Sequence, residues 1–226
     1  MVKALLFDFD GVIVDTEVPT YGSWRDLYAT FGVDLALEDY LPAVGTGSST
    51  SLGDGGFDAV AHLERLIGRP VDREQVVEWR RGRKQELCAT ARLLPGVAAL
   101  LGEAARLALR TAIVTRNRDA WVAQHCERLG LDHAWDEIVC ANDTPAMDKA
   151  ELYRRALELL GVSADEAIAI EDSPPGVEAA RRTGIYCIAV PSEITRSVAF
   201  DADCVYDSLE QVPLARLVQS TETRTG

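Results

Sequence analysis

Two short acidic clusters close apolar runs in this 226-residue sequence, and their spacing is the first hint of chemistry. The first is Asp8-Phe9-Asp10-Gly11, at the end of the apolar run over residues 3–9. Two carboxylates two positions apart at a strand end can turn toward one place if the chain leaves extended geometry there. Gly11 permits that bend and leaves room for a ligand. Like charges held close raise each other's energy, so the pair asks for a cation, and carboxylate oxygens suit Mg²⁺. An acidic turn that merely ends a strand would look the same in isolation.

The second cluster, Glu171-Asp172, repeats the design: an apolar run over residues 166–170, two acids, then Ser173-Pro174-Pro175-Gly176 as a helix entry. A third segment, Ala112-Ile113-Val114-Thr115-Arg116-Asn117, is a strand ending in a hydroxyl and an amide, with a helix behind it. Free N–H groups and the positive dipole end at a helix start suit a phosphate. Thr115 as a plain helix cap is the alternative. Taken together, the three segments offer a nucleophile, a metal site and an anion cradle.

Such groups must be brought to one edge, and the remaining pattern says how. Short runs rich in Ile, Val and Ala recur at residues 3–9, 110–115, 137–140, 166–170 and 185–190, too short for helices. Amphipathic stretches lie between them. Residues 120–129 put Trp121, Val122, Cys126 and Leu129 on one face, and residues 152–160 do the same before stopping at Gly161. This alternation predicts an α/β fold, a doubly wound Rossmann-like parallel sheet. It is interrupted once, from residue 16 to about residue 91, by helical patterns at 21–31, 59–67 and 73–87. The expected organisation is a core of residues 1–15 and 92–226, with a small helical cap of residues 16–91 inserted over the sheet edge where open α/β sheets bind ligands. Inside it the polar stretch from Gly45 and Thr46 to Gly56 reads either as a flexible linker or as a substrate-facing loop.

Composition narrows the classes. Hydrophobic residues make up 47% and charged residues 26%, enough to bury a core and to set disorder aside. The formal net charge of −13 gives no field that draws the chain to nucleic acid or an anionic membrane, so neither is an expected partner. No apolar run is long enough to cross a bilayer, and acids follow the N-terminus too soon for a signal peptide. The five cysteines are scattered without a CxxC pair, which predicts reduced, mostly buried thiols and a cytoplasmic setting. His62, His125 and His133 lack metal-ligand spacing. A monomer is the default.

The sequence resembles the haloacid dehalogenase superfamily of phosphotransferases with a helical cap, in its β-phosphoglucomutase-like branch. The likeness runs from Leu5 to about Leu209 and rests on Asp8-Phe9-Asp10-Gly11-Val12, Glu171-Asp172-Ser173-Pro174-Pro175-Gly176, Leu94-Pro95-Gly96-Val97 and Val190-Pro191. The resemblance implies that Asp8 is the nucleophile and Asp10 the general acid and base. It implies that Asp8, the Asp10 carbonyl and Asp172 hold Mg²⁺, with Glu171 helping directly or through water. Thr115, with Arg116 and Asn117 in the same turn, and a lysine would hold the phosphoryl oxygens. Two departures stand out. The family's lysine position is Met147 here, and Lys149 sits two residues later without the flanking prolines; a helix-start surface lysine is the alternative. The histidine that the sugar-phosphate mutases carry in the cap is Thr20.

The resulting expectation is a phosphatase acting on a small phosphorylated metabolite through an aspartyl phosphate. A phosphosugar mutase is the alternative, with the threonine at position 20 against it, and a catalytically silent phosphate-binding domain is a third reading. Dehalogenation is set aside because dehalogenases of this superfamily do not keep the second Asp of the pair. In the cap, Thr20, Gly45, Thr46, Arg81 and Lys84 are candidate substrate contacts. Arg80, Arg81, Arg83 and Lys84 together read either as a solvated helix face or as recognition of a second anionic group.

Overall fold

The computed structural model describes residues 1–45, 57–142 and 147–220. Six strands, β1 (Ala4–Phe7), β2 (Arg110–Thr115), β3 (Glu137–Cys140), β4 (Ala167–Glu171), β5 (Tyr186–Ala189) and β6 (Cys204–Val205), form one sheet in the order β3-β2-β1-β4-β5-β6. All neighbouring pairs are parallel. The fold is therefore α/β and Rossmann-like, as the alternation predicts. The period of two divides the strands β1, β2 and β4 between two cores. Leu5, Phe7, Ile113, Ile168 and Ile170 face α5 (Val97–Arg106), α6 (Asp119–Leu129) and α9 (Leu214–Ser220). Ala4, Leu6, Ala112, Ala169 and Ala189 face α7 (Lys149–Leu160) and α8 (Pro174–Arg182). Small alanines on that side let α7 lie close to the sheet, which matters for its first residue.

Between β1 and β2 lie α1 (Glu17–Thr30), α2 (Leu37–Tyr40), a 3₁₀ turn over Leu41–Ala43, α3 (Ala59–Ile67) and α4 (Arg73–Cys88). They share a separate apolar cluster that includes Trp24, Leu27, Tyr28, Val60, Leu63 and Val76. Asp58 and Asp72 cap α3 and α4 with side-chain acceptors. Tyr28 ties α1 to α3 by donating to the Ala59 carbonyl at 2.6 Å. The two strands of chain joining this unit to the sheet are themselves paired: Asp15 N–H donates to the Arg92 carbonyl at 3.1 Å and Leu94 N–H to the Ile13 carbonyl at 3.0 Å. Ile194, which follows β5 in the chain, packs into the same cluster and joins these helices to the sheet.

The differences from expectation are local. β6 has two residues, too few to leave a periodic pattern. The helix expected over 21–31 begins at Glu17, because Pro19 is tolerated in a first helical turn and hid the start. All five cysteines are free thiols. The polar stretch from Thr46 to Gly56 lies outside the described residues.

Candidate active site

β1, β2 and β4 end side by side, with Phe7 in register with both Ile113 and Ile170. The residues just beyond these ends therefore share one crevice. Asp8, Asp10, Glu17, Thr20, Tyr40, Ala43, Val44, Gly45, Lys84, Thr115, Arg116, Asn117, Lys149 and Asp172 line a cavity of about 130 Å³ between the sheet edge and the helices inserted after β1.

Asp8 sits at its floor. Its Oδ1 accepts from the Phe9 N–H at 2.7 Å, and its Oδ2 meets Lys149 Nζ at 2.7 Å. Lys149 Nζ is also 2.7 Å from Glu171 Oε1, which accepts from the Tyr153 hydroxyl at 2.6 Å. Lys149 is 3% exposed, so it is no surface lysine. It opens α7, where Asp148 caps the helix through the Ala150 N–H, and the long stem reaches the floor from there. Burial works against its ammonium, but Asp8 and Glu171 outweigh it and hold the Lys149 pKa above lysine's ordinary value. Burial pushes the Asp8 carboxyl up to about 8 against the pull of Lys149, with Glu171 and Asp10 adding to the rise. Asp172 is raised well above the usual carboxylate range by burial first, then by Glu17, Asp8 and Glu171.

The acid cluster fits a hard divalent cation. One oxygen each from Asp8, Glu171 and Asp172 lies within 4.8 Å of the others. Glu171 Oε2 and Asp172 Oδ2 are buried with no hydrogen-bond partner, a costly state for carboxylate oxygens that a cation would relieve. A Cβ on Gly11 would overlap Asp172 Oδ2, and one on Gly176 would overlap the Glu171 carboxylate, so both glycines make room for these side chains. The Asp10 side chain lies apart from this cluster. Its Oδ1 accepts from Thr16 Oγ1 at 2.6 Å and Trp121 Nε1 at 3.2 Å, and its Oδ2 accepts from Asn117 Nδ2. Thr16 occupies the N-cap position of α1 but spends its hydroxyl on Asp10 rather than on the helix.

Thr115, buried at the end of β2, accepts from the Asn117 N–H at 3.1 Å. Arg116 keeps a buried Nε without a partner beside the cavity. On α1, Thr20 is buried with an unpartnered Oγ1, and Lys84 lines the cavity from α4. Gly45 takes φ +72°, and a Cβ there would collide with Ser173. Thr46 lies outside the described residues. The structure does not bring Arg81 to the cavity: its guanidinium is exposed and pairs with Glu78 on the same helix. Helix phase turns Arg80 inward instead, over the Trp24 ring at 4.9 Å, with Nε donating to Ser23 Oγ at 3.1 Å and Nη2 unpartnered. Glu17, half-buried beside it, is pushed up to about 7 by burial and by Asp10, against Lys84 and Arg80.

Sequence reasoning passed over Thr16, Glu17 and Trp121. Trp121 was placed on the apolar face of α6, and only the fold reveals where its N–H points.

Residues 5–190 match the family model described as haloacid dehalogenase-like hydrolase. The chain belongs to that family. Among curated relatives, "Putative phosphatase YhcW" of Bacillus subtilis is 34% identical over 220 residues, covering 96% of this chain and 97% of that one. Among solved structures, a CbbY mutant from Rhodobacter sphaeroides in complex with Xylulose-(1,5)bisphosphate is 29% identical, with a TM-score of 0.72 and coverage of 94% and 97%. A β-phosphoglucomutase from Clostridium difficile, at 19% identity, TM-score 0.75 and coverage of 100% and 99%, shares the fold. With phosphatases among these relatives, the haloacid dehalogenase-like chain is a phosphoric monoester hydrolase.

Proposed function

We propose that this chain is a Mg²⁺-dependent phosphatase that hydrolyses a small phosphorylated metabolite through an aspartyl phosphate on Asp8, with residues 16–91 acting as a cap over the core. The contact that carries the reading is Asp8 Oδ2 against Lys149 Nζ, a carboxylate and a buried ammonium in a cavity lined by polar groups. Asp8, Glu171, Asp172 and the Asp10 carbonyl would hold Mg²⁺. When bound, the metal supplies positive charge against the phosphoryl oxygens, which otherwise repel a carboxylate nucleophile.

The chain's own groups do the rest. Lys149 neutralises charge at Asp8, and Thr115, Arg116 and Asn117 receive the phosphoryl oxygens at the end of β2. An Asp8 oxygen forms a bond to phosphorus as the ester P–O bond breaks, and Asp10 gives a proton to the departing alkoxide. Asp10 then takes a proton from the water that attacks phosphorus, which breaks the Asp8–phosphorus bond and releases inorganic phosphate. The donors on Asp10 from Thr16, Trp121 and Asn117 aim it at the ester oxygen. The cavity of about 130 Å³ leaves room for a compact polar ester beside Asp8 and Lys149. Thr20, Gly45 and Lys84 face the part of the substrate beyond the phosphate. A mutase gains no support from position 20, where a threonine stands.

The test is a panel of p-nitrophenyl phosphate, sugar phosphates, phosphoglycolate and nucleotides, followed by phosphate release. Wild type with Mg²⁺ should release phosphate, and Asp8→Asn should keep the fold and lose turnover, since an amide is no nucleophile toward phosphorus. More than trace activity in Asp8→Asn refutes the covalent route.

A further inference from the structure

Trp121 touches two parts of the site at once. Its indole Nε1 donates to Asp10 Oδ1 at 3.2 Å, and Lys84 Nζ, from cap helix α4, stands 4.5 Å from the centroid of its ring. The residue lies half-buried in the first turn of α6. His125, one turn on, meets its ring edge-on at 4.5 Å and packs in turn on Phe9, in the segment that carries Asp8 and Asp10. The indole is thus braced by the core and contacted by the cap. A residue serving only the apolar face of α6 could be Phe or Leu. The N–H spent on a carboxylate oxygen is what those residues lack.

The three side-chain donors on Asp10 differ in kind. Thr16 leads into α1 and Asn117 follows β2. Among them, Trp121 is the donor with a cap cation against its ring. A cation attracted to an aromatic π system withdraws electron density from it, which makes the N–H a stronger donor to Asp10. Lys84 makes this contact only while α4 is seated over the core, so cap seating and the hold on Asp10 meet in one side chain.

We infer that Trp121 is a positioning residue for Asp10, and that Lys84 strengthens its hold when the cap is seated. The inference rests on the phosphatase reading above, in which Asp10 moves the proton. Trp121→Phe keeps an aromatic ring beneath Lys84 and beside His125 and removes the N–H. With p-nitrophenyl phosphate and Mg²⁺, the variant should lose about tenfold in kcat, the worth of one charge-assisted hydrogen bond, with KM unchanged within about twofold. Its melting temperature should stay within about 2 °C of wild type, as expected of a half-buried ring replaced by a ring. Lys84→Met should lower kcat by a smaller factor, and in a Trp121→Leu background, which has no ring, it should lower kcat no further. Any direct contact of Lys84 with substrate is lost equally with and without the ring, so the comparison of the two backgrounds separates it from the link through Trp121.

Wild-type turnover with an undiminished kcat in Trp121→Phe overturns the inference and leaves the phosphatase reading standing. So does a loss in which kcat and melting temperature fall together while KM rises, the mark of a packing role. Equal kcat losses from Lys84→Met with and without the ring overturn the link to the cap. A wild type that releases no phosphate overturns the phosphatase reading and this inference with it.

Discussion

Lys149 is the residue at which physical chemistry makes the sharpest demand. It is an ammonium buried beside three carboxylates, and it pairs with two of them at 2.7 Å. Removing one partner of a buried ion pair costs about 3–5 kcal/mol, because the other charge is left unpaired. Lys149→Ala should therefore do two separable things. It should lower kcat by about a hundredfold or more, the scale of losing one charge at a water-excluded phosphoryl site. It should also lower the melting temperature of the metal-free protein, and Mg²⁺ should recover part of that loss by compensating the same carboxylates. Lys149→Arg should restore some rate and not all of it, since a planar guanidinium cannot sit at both Asp8 and Glu171 as a point charge does. Calorimetry with and without Mg²⁺, beside steady-state rates, reads both effects. Normal turnover in Lys149→Ala moves the phosphate partner to Arg116.

At the scale of elements, the site depends on how the cap meets the sheet edge, and Gly45 is a close approach between them. Its φ of +72° suits glycine, and a Cβ would drive into Ser173. Ser173 is in no position to give way, because its hydroxyl accepts the Gly176 N–H at 3.3 Å at the start of α8. Gly45→Ala should hold the cap off the core and cut kcat/KM by about tenfold or more, while the backbone penalty to stability stays near 1–2 kcal/mol. Unchanged kcat/KM in that variant shows that this contact is not needed for turnover. What could be read from sequence at this scale follows from what leaves a local pattern. β1, β2, β3, β4 and β5 were legible because each is a short apolar run, and Asp8, Glu171 and Asp172 announce themselves as acids at strand ends. β6 was not legible, since two residues carry no period. Arg80 could not be told from Arg81, because which of two neighbours faces inward depends on how α1 packs on α4. Trp121 looked like core for the same reason: periodicity places a ring on a face and says nothing about its N–H. Thr16 carries no local signal of its role, and only the approach of Asp10 shows where its hydroxyl goes.

For the whole molecule, the crowding of carboxylates at one edge of a chain of net charge −13 ties stability to pH and to metal. Asp8 is pushed up to about 8 and Glu17 to about 7, and Asp172 is raised well above its ordinary value, each chiefly by burial. Between the ordinary carboxylate range near pH 4 and about pH 8, the folded chain therefore keeps protons that the unfolded chain has released. Raising the pH through that window favours the unfolded state, so the metal-free protein should lose stability from these groups as the solution becomes more alkaline. A divalent cation takes the place of those protons and must displace them, so its apparent affinity should rise over the same window. Binding to the folded state alone stabilises by RT ln(1 + [L]/Kd), and the rise in melting temperature given by Mg²⁺ should be larger at pH 8 than at pH 5.5. Chelation should abolish phosphate release and added Mg²⁺ should restore it. Ca²⁺ should fail to restore it, because it takes more oxygen ligands at longer distance and would draw Asp8 into bidentate coordination. The decisive measurement is the thermal shift against pH at fixed Mg²⁺, repeated on Asp172→Asn. An equal shift at both pH values, or a full shift in Asp172→Asn, would place the metal somewhere other than the cluster of Asp8, Glu171 and Asp172.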